Sequence, residues 1–260
     1  MTDLNEIVEL LTDPVFIQDH WMQKPKVFQA TKLFESVRTR HSLETLIKAA
    51  AKVMPDSIHI IEKRLSRILT RGIDLSKCDD PEQTVLNIAQ YRTLILYDFH
   101  ILHRFYHELA LQLDEKFWGD TTAGMFVSLK KRSGFKKHRD RYHIFVFQHS
   151  GSTIWKVYDF MHEQKLILKH ELLPGEILYV PIFFGHSAQR VGVRESHVSV
   201  GISYDKKRNF YEALCENPLL AQACEPEARQ QLLKSREIEK QRNLTANLQA
   251  DPNFRSPDPA

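Results

Sequence analysis

Residues 143–158 read HIFVFQHSGSTIWKVY, and residues 173–186 read LPGEILYVPIFFGH. Both are short apolar runs rich in β-branched and aromatic residues. A turn pair interrupts the first (Ser150-Gly151) and another opens the second (Pro174-Gly175). The pattern extends outward in both directions. Met125–Leu129, His143–Gln148, Ile154–Tyr158, Lys165–Leu168, Ile177–Val180, Ser187–Val191 and His197–Ser203 read as strands. Seven of the nine glycines lie between Gly124 and Gly201, and no proline occurs from Glu82 to Leu173. Short strands punctuated by glycine turns predict an all-β sandwich or barrel at 124–204, with mainly helical flanks.

The flanks carry helical periodicity. Leu4, Ile7, Val8, Leu10 and Leu11 share one face until Pro14, and Leu43, Leu46, Ile47 and Ala50 mark a further helix. Asp79-Asp80-Pro81-Glu82 is a helix start, with proline near the first turn and acids favoured by the dipole. Thr93–Tyr97 reads as a strand. Asp98 then reads as the N-cap of a helix running to Leu113.

The 260 residues carry 36 basic and 33 acidic side chains, a net charge of +3, and are 42% hydrophobic. No run is long enough to span a bilayer, and the acidic, amphipathic N-terminus is unlike a secretion signal. Cys78, Cys215 and Cys224 are too few and too scattered for a disulfide scaffold or a cysteine zinc site, so a cytoplasmic location is expected.

His138-Arg139-Asp140 sets an imidazole and a carboxylate two residues apart, on one face of an extended chain. His186 follows the Pro-Gly turn and strand of 173–186. Two imidazoles and one carboxylate with open positions beside them suit non-haem Fe(II). The tripeptide alone is weak evidence in a chain with 13 histidines, and for it alone a surface pair is the simpler reading. The ordered turns and strands around it favour the metal. His143, His149 and His197 read as surface groups or supports of the ligands, and Trp155 as core.

The chain resembles the JmjC/cupin-type Fe(II)- and 2-oxoglutarate-dependent oxygenases, in particular the bacterial cupin branch related to ribosomal oxygenases. The likeness is carried by 16–25 (FIQDHWMQKP), the strand and helix at 94–113, 134–155 (GFKKHRDRYHIFVFQHSGSTIW), 173–186 and 196–203 (SHVSVGIS). It implies a mainly β core with flanking helices, folded as a double-stranded β-helix of the jelly-roll, cupin type. The expected organisation is a helical N-terminal buttress with short strands at 1–120, the catalytic core at 121–206, a helical segment at 207–250 and a disordered tail at 251–260. It further implies His138, Asp140 and His186 as ligands of Fe(II), and 2-oxoglutarate as co-substrate. The activity implied is a dioxygenase hydroxylating an amino-acid side chain in a protein or peptide. Hydroxylation of a small natural product or free amino acid, a metal-dependent isomerase, and a non-catalytic cupin-like binding module are the alternatives.

One position breaks the resemblance. Such oxygenases place a Lys or Arg two residues before the strand tryptophan to hold the far carboxylate of 2-oxoglutarate, and here that position is Thr153. Arg190 is the expected substitute, because strand alternation puts it on the face of His186, and Lys130 is the second choice. Ser128, Thr153 and Ser199 are expected to add hydroxyl hydrogen bonds. The run 130–141 holds seven Lys/Arg in twelve residues, a basic rim that would attract an anionic substrate. It lacks the interleaved aromatics of a nucleic-acid platform, so nucleic acid is disfavoured. The resemblance also implies a homodimer through the C-terminal helices.

Overall fold

The computed structural model describes residues 2–64, 67–129, 135–162 and 164–204. The expected C-terminal helices, the dimer contact built on them, the tail and Lys130 lie outside these residues.

The N-terminal part is α1 (Thr2–Leu11), α2 (Pro14–Asp19), β1 (Lys26–Gln29), α3 (Thr31–Thr39), α4 (Leu43–Val53), β2 (Ile58–Arg64), β3 (Arg67–Gly72), α5 (Pro81–Ala89), β4 (Leu94–Leu96), α6 (Phe99–Leu102) and α7 (Arg104–Phe117). Local chemistry sets several starts. The Asp13 carboxylate accepts from the N–H groups of Val15 and Phe16 with Pro14 in the first turn, and Ser42 and Asp80 cap α4 and α5 in the same way. Then come β5 (Asp120–Ser128), β6 (His143–Tyr158), β7 (Leu166–Leu172), β8 (Glu176–Val180) and β9 (Gly185–Ser203).

Three of the predicted boundaries change. Ser150-Gly151 does not separate two strands. It bends one, as Gly192 bends β9, so β6 and β9 each run through both layers. Their pairing jumps from Ser150↔Ser196 to Ser152↔Val191, looping out 192–195. Gly151 has φ +63°, and a Cβ there would lie 2.1 Å from the Arg194 carbonyl oxygen, so only glycine fits the crossing. Asp98 is likewise no side-chain cap. It is left-handed (φ 53°) without a cap hydrogen bond, and the helix breaks at extended His103. The hairpin β2–β3 was not foreseen.

The first half of β6 and all of β8 join the second half of β9, then β5, β4, β2 and β3, in one sheet with β1 at the other edge. The second half of β6, with β7 and the first half of β9, forms the facing layer. This is a double-stranded β-helix. The outer face of the large sheet (Phe145, Phe147, Val198, Val200, Met125, Val127) packs on the helices, with Trp21, Phe34 and Tyr106 filling the seam. Ile144, Val146, Leu178 and Val180 on its inner face meet Trp155, Val157, Leu172 and Ala188 of the small layer. Two apolar cores thus lie on opposite sides of one wall, and the interior between the layers is where the conspicuous polar residues gather.

Candidate metal centre and the chamber beside it

His186 lies near the start of β9, side by side with the loop that carries His138. The His138 N–H donates to the His186 carbonyl at 3.0 Å and the His186 N–H to the His138 carbonyl at 2.8 Å. This antiparallel pair puts both rings on one face. Asp140, two residues on, follows on the same side, and its carbonyl accepts from the Phe183 N–H at 3.0 Å. Phe183 is left-handed (φ 65°), a local strain at the corner that brings the chain back into β9. One ligating atom from each of His138, Asp140 and His186 falls within 4.8 Å of the others.

The tautomers explain what the cluster suits. His138 Nδ1 donates to the Lys136 carbonyl at 2.9 Å and His186 Nδ1 to the Phe184 carbonyl at 3.1 Å. A neutral imidazole that donates from Nδ1 has a lone pair on Nε2. Both Nε2 atoms face Asp140 Oδ2, at 3.8 Å and 3.3 Å. Three lone-pair donors therefore converge, each ring fixed by a backbone carbonyl as metal-bound histidines are. Burial, with the charge of His186, lowers the pKa of His138. Burial alone would raise that of Asp140, but with no metal bound a proton on His186 Nε2, hydrogen-bonded to the carboxylate, and the charge of His138 hold it below the ordinary value. A divalent cation fits the donor set. Exposure grades from His138 (42%) through Asp140 (21%) to His186 (3%), so the centre opens on the His138 side.

Inward from the centre the interior between the two layers is lined by rings. Trp155 and His186 rings are 6.0 Å apart, and His197 meets Trp155 edge-on at 5.7 Å while stacking on Phe126 at 4.9 Å. Phe126 contacts Phe135, whose ring is 5.9 Å from that of His138. Of the residues expected to hold the co-substrate, Thr153 and Arg190 are direct partners in the β6–β9 ladder, facing inward and buried. Ser128 is opposite Glu195, and Ser199 lies between Val146 and Gly124, both on the inner face of the large sheet.

None of the three further histidines is a surface group. His143 and His149 are fully inside the outer core, and His197 faces the interior between the layers. His197 Nδ1 bonds Glu195 Oε1 at 2.6 Å, and Gln148 Nε2 donates to the same oxygen at 3.2 Å. This buried acid–imidazole–amide group was missed. The alternation Glu195-x-His197-x-Ser199 was the available signal, since it sets all three on one face.

The family profile described as the JmjC domain matches residues 100–210. The matched stretch carries β5 to β9 of the double-stranded β-helix. Solved structures of the Escherichia coli ribosomal oxygenase YcfD share this fold. One superposes with a TM-score of 0.56 at 20% identity, over 78% of this chain and 53% of that one. Another gives 0.57 at 18% identity, over 93% and 68%. A third, solved with cobalt and 2-oxoglutarate, gives 0.56 at 18%, over 93% and 67%. This chain thus spans about half to two thirds of the length of those proteins. No curated protein sequence matches it. Among the described residues, no helix is long and apolar enough to cross a membrane.

Proposed function

We propose that the protein is an Fe(II)- and 2-oxoglutarate-dependent oxygenase of the cytoplasm that hydroxylates an amino-acid side chain in a protein or peptide. The observation that carries the reading is the convergence of two carbonyl-fixed imidazole Nε2 atoms on one carboxylate oxygen. His138, Asp140 and His186 would hold the metal on one face, leaving other coordination positions for co-substrate and O₂. When bound, Fe(II) lets O₂ cleave 2-oxoglutarate to succinate and CO₂ while one oxygen atom enters a substrate C–H bond. The protein's part is to fix the ligands through the 138/186 backbone pair, to keep bulk water from the interior between the layers with Trp155, Phe126 and Phe135, and to orient the co-substrate. Ser128, Thr153 and Ser199 would supply hydroxyl hydrogen bonds on the facing inner walls. The YcfD structures, described as those of a ribosomal oxygenase, support a polypeptide substrate.

The test has two stages. Anaerobic Fe(II) protein is titrated with 2-oxoglutarate and followed by visible absorption, then exposed to air and assayed for succinate. A new absorption band and succinate release are expected, both lost in Asp140→Ala. Protein that binds Fe(II) but shows neither band nor succinate would leave the metal-dependent isomerase reading. Protein that binds no metal would leave the cupin-like module.

A further inference from the structure

The large sheet is wider than the layer that faces it. Trp155, Val157, Leu172 and Ala188 pack on its inner face over β6 and β8. Beyond β9 the sheet continues through β5, β4 and β2 to β3, which ends it. The register gives the side chains on this farther stretch. Gly201 lies between Ile144 and Thr122, and Gly124 lies opposite Ser199. Ile95 pairs with both Phe126 and His59, so Tyr97, two residues on, shares their face. The Tyr97 and His59 rings meet edge-on at 4.8 Å. Tyr142, two residues past Asp140, stands over Gly201, where an added Cβ would come within 2.9 Å of its ring. Gly124 is bare: among the described residues nothing is nearer than 3.9 Å to where its Cβ would be, and neighbouring Thr122 is exposed. Tyr142 and Tyr97 are each 38% exposed, and Tyr142 is within electrostatic reach of both Asp140 and Tyr97. A shallow trough walled by two tyrosines therefore leads from Asp140 across four strand spacings, about 19 Å, to Gly72 on the edge strand.

We infer that this trough seats an extended polypeptide, with one apolar side chain between Tyr142 and Tyr97 and the residue to be oxidised at the Asp140 end. This rests on the oxygenase reading above and names how its substrate is held. Sites for small molecules enclose most of the ligand surface, whereas this one is open above and about six extended residues long. The inner-face positions named here carry no Lys or Arg, so the phosphates of a nucleic acid would meet no cation on the floor. Glycine lets a peptide backbone lie close to the sheet. Tyrosine rings add a large, partly apolar contact area at a small cost in side-chain entropy.

Gly124→Val is the deciding variant, because a side chain there fills the trough without meeting the fold. Protein loaded with Mn(II) and 2-oxoglutarate selects from a displayed library of random twelve-residue peptides. Enriched peptides are synthesised and titrated by fluorescence anisotropy against wild type, Gly124→Val and Tyr97→Ala, beside a twelve-nucleotide oligouridylate. Peptides sharing an apolar position are expected, each weakened about 10-fold or more in both variants. Mn(II) affinity and melting temperature are expected to stay as in wild type. With Fe(II) in place of Mn(II), mass spectrometry is expected to find one added oxygen at a fixed spacing from the apolar position. Equal peptide affinity in Gly124→Val overturns the inference, and so does oligouridylate binding that this variant abolishes. A dimer in light scattering that Gly124→Val dissolves overturns it in favour of a second copy of the chain. No enrichment by protein that still releases succinate with Fe(II) overturns the inference and leaves the oxygenase reading standing. Enriched peptides that Gly124→Val blocks but Fe(II) protein never oxidises leave the seat standing and count against hydroxylation. If Gly124→Val does not fold, Tyr97→Ala decides by the same comparison.

Discussion

Acid should unfold this protein early, because three histidines are locked neutral in its outer core. His143 is fully buried, stacked on Trp21 at 4.1 Å, and its Nδ1 accepts from the Tyr179 hydroxyl and the Ile182 N–H. His149 bonds the Tyr106 hydroxyl and lies edge-on to Phe34. His103 is buried between Phe99 and Tyr106. Burial lowers His143 and His149 from 6.5 to about 3, and His103, with help from the charges of His41 and Arg40, to about 4. A depressed folded pKa means that the unfolded chain takes up protons first. Stability is therefore whole above the unfolded value of 6.5 and falls as pH drops towards the folded values. Each group costs about 1.4 kcal/mol per pH unit in that window, hence about 2 kcal/mol between pH 6.5 and 5.0. Together they remove about 6 kcal/mol, comparable to the whole stability of many domains. Urea unfolding followed by tryptophan fluorescence, with chelator present, should show the midpoint collapsing between pH 7 and 5. His149→Leu should flatten the slope by about a third. A midpoint unchanged across that range, or a slope unaffected by His149→Leu, would refute the reasoning.

Other expectations follow from single contacts. Asp140→Ala should abolish stoichiometric divalent-metal binding in equilibrium dialysis while the melting temperature of the metal-free protein changes little; retained metal would count against the three-ligand centre. Gly151→Ala should cost about 2 kcal/mol or more, from the left-handed backbone and the clash with the Arg194 carbonyl, and an unchanged urea midpoint would show that the bend relaxes. The exposed Arg194–Glu44 ion pair should contribute under about 1 kcal/mol and fade with salt, so a larger loss in Glu44→Ala would point to a role beyond the pair.

The strand-rich core was legible because turn residues and apolar runs alternate at regular spacing, and the three converging side chains were legible because each sits beside such a turn. What escaped had physical causes. Ser150-Gly151 has the composition of a hairpin turn, yet the ladder to β9 resumes two residues later, a fact about the partner strand that a local reading cannot contain. The hairpin β2–β3 is charge-rich (HIIEKR and RILTRG), which hides its alternation. Asp98 suits both a cap and a left-handed corner, and the tight passage from β4 into α6 selects the second. With three ligands already at hand the sequence assigns His197 no ligand role, whereas its burial depends on Glu195 accepting from it.

The backbone pair between residues 138 and 186 has a consequence for how such a site can be lost. The hydrogen bonds that set the two imidazoles side by side, and the one that seats Asp140, are made by main-chain atoms and do not depend on which side chains are present. The scaffold positions the chemical groups without leaning on them. A single codon change at Asp140 would therefore yield a chain that folds and persists while lacking the proposed activity. Protein quality control, which recognises unfolding, would pass it unmarked, and only selection on the reaction itself can keep the three residues together.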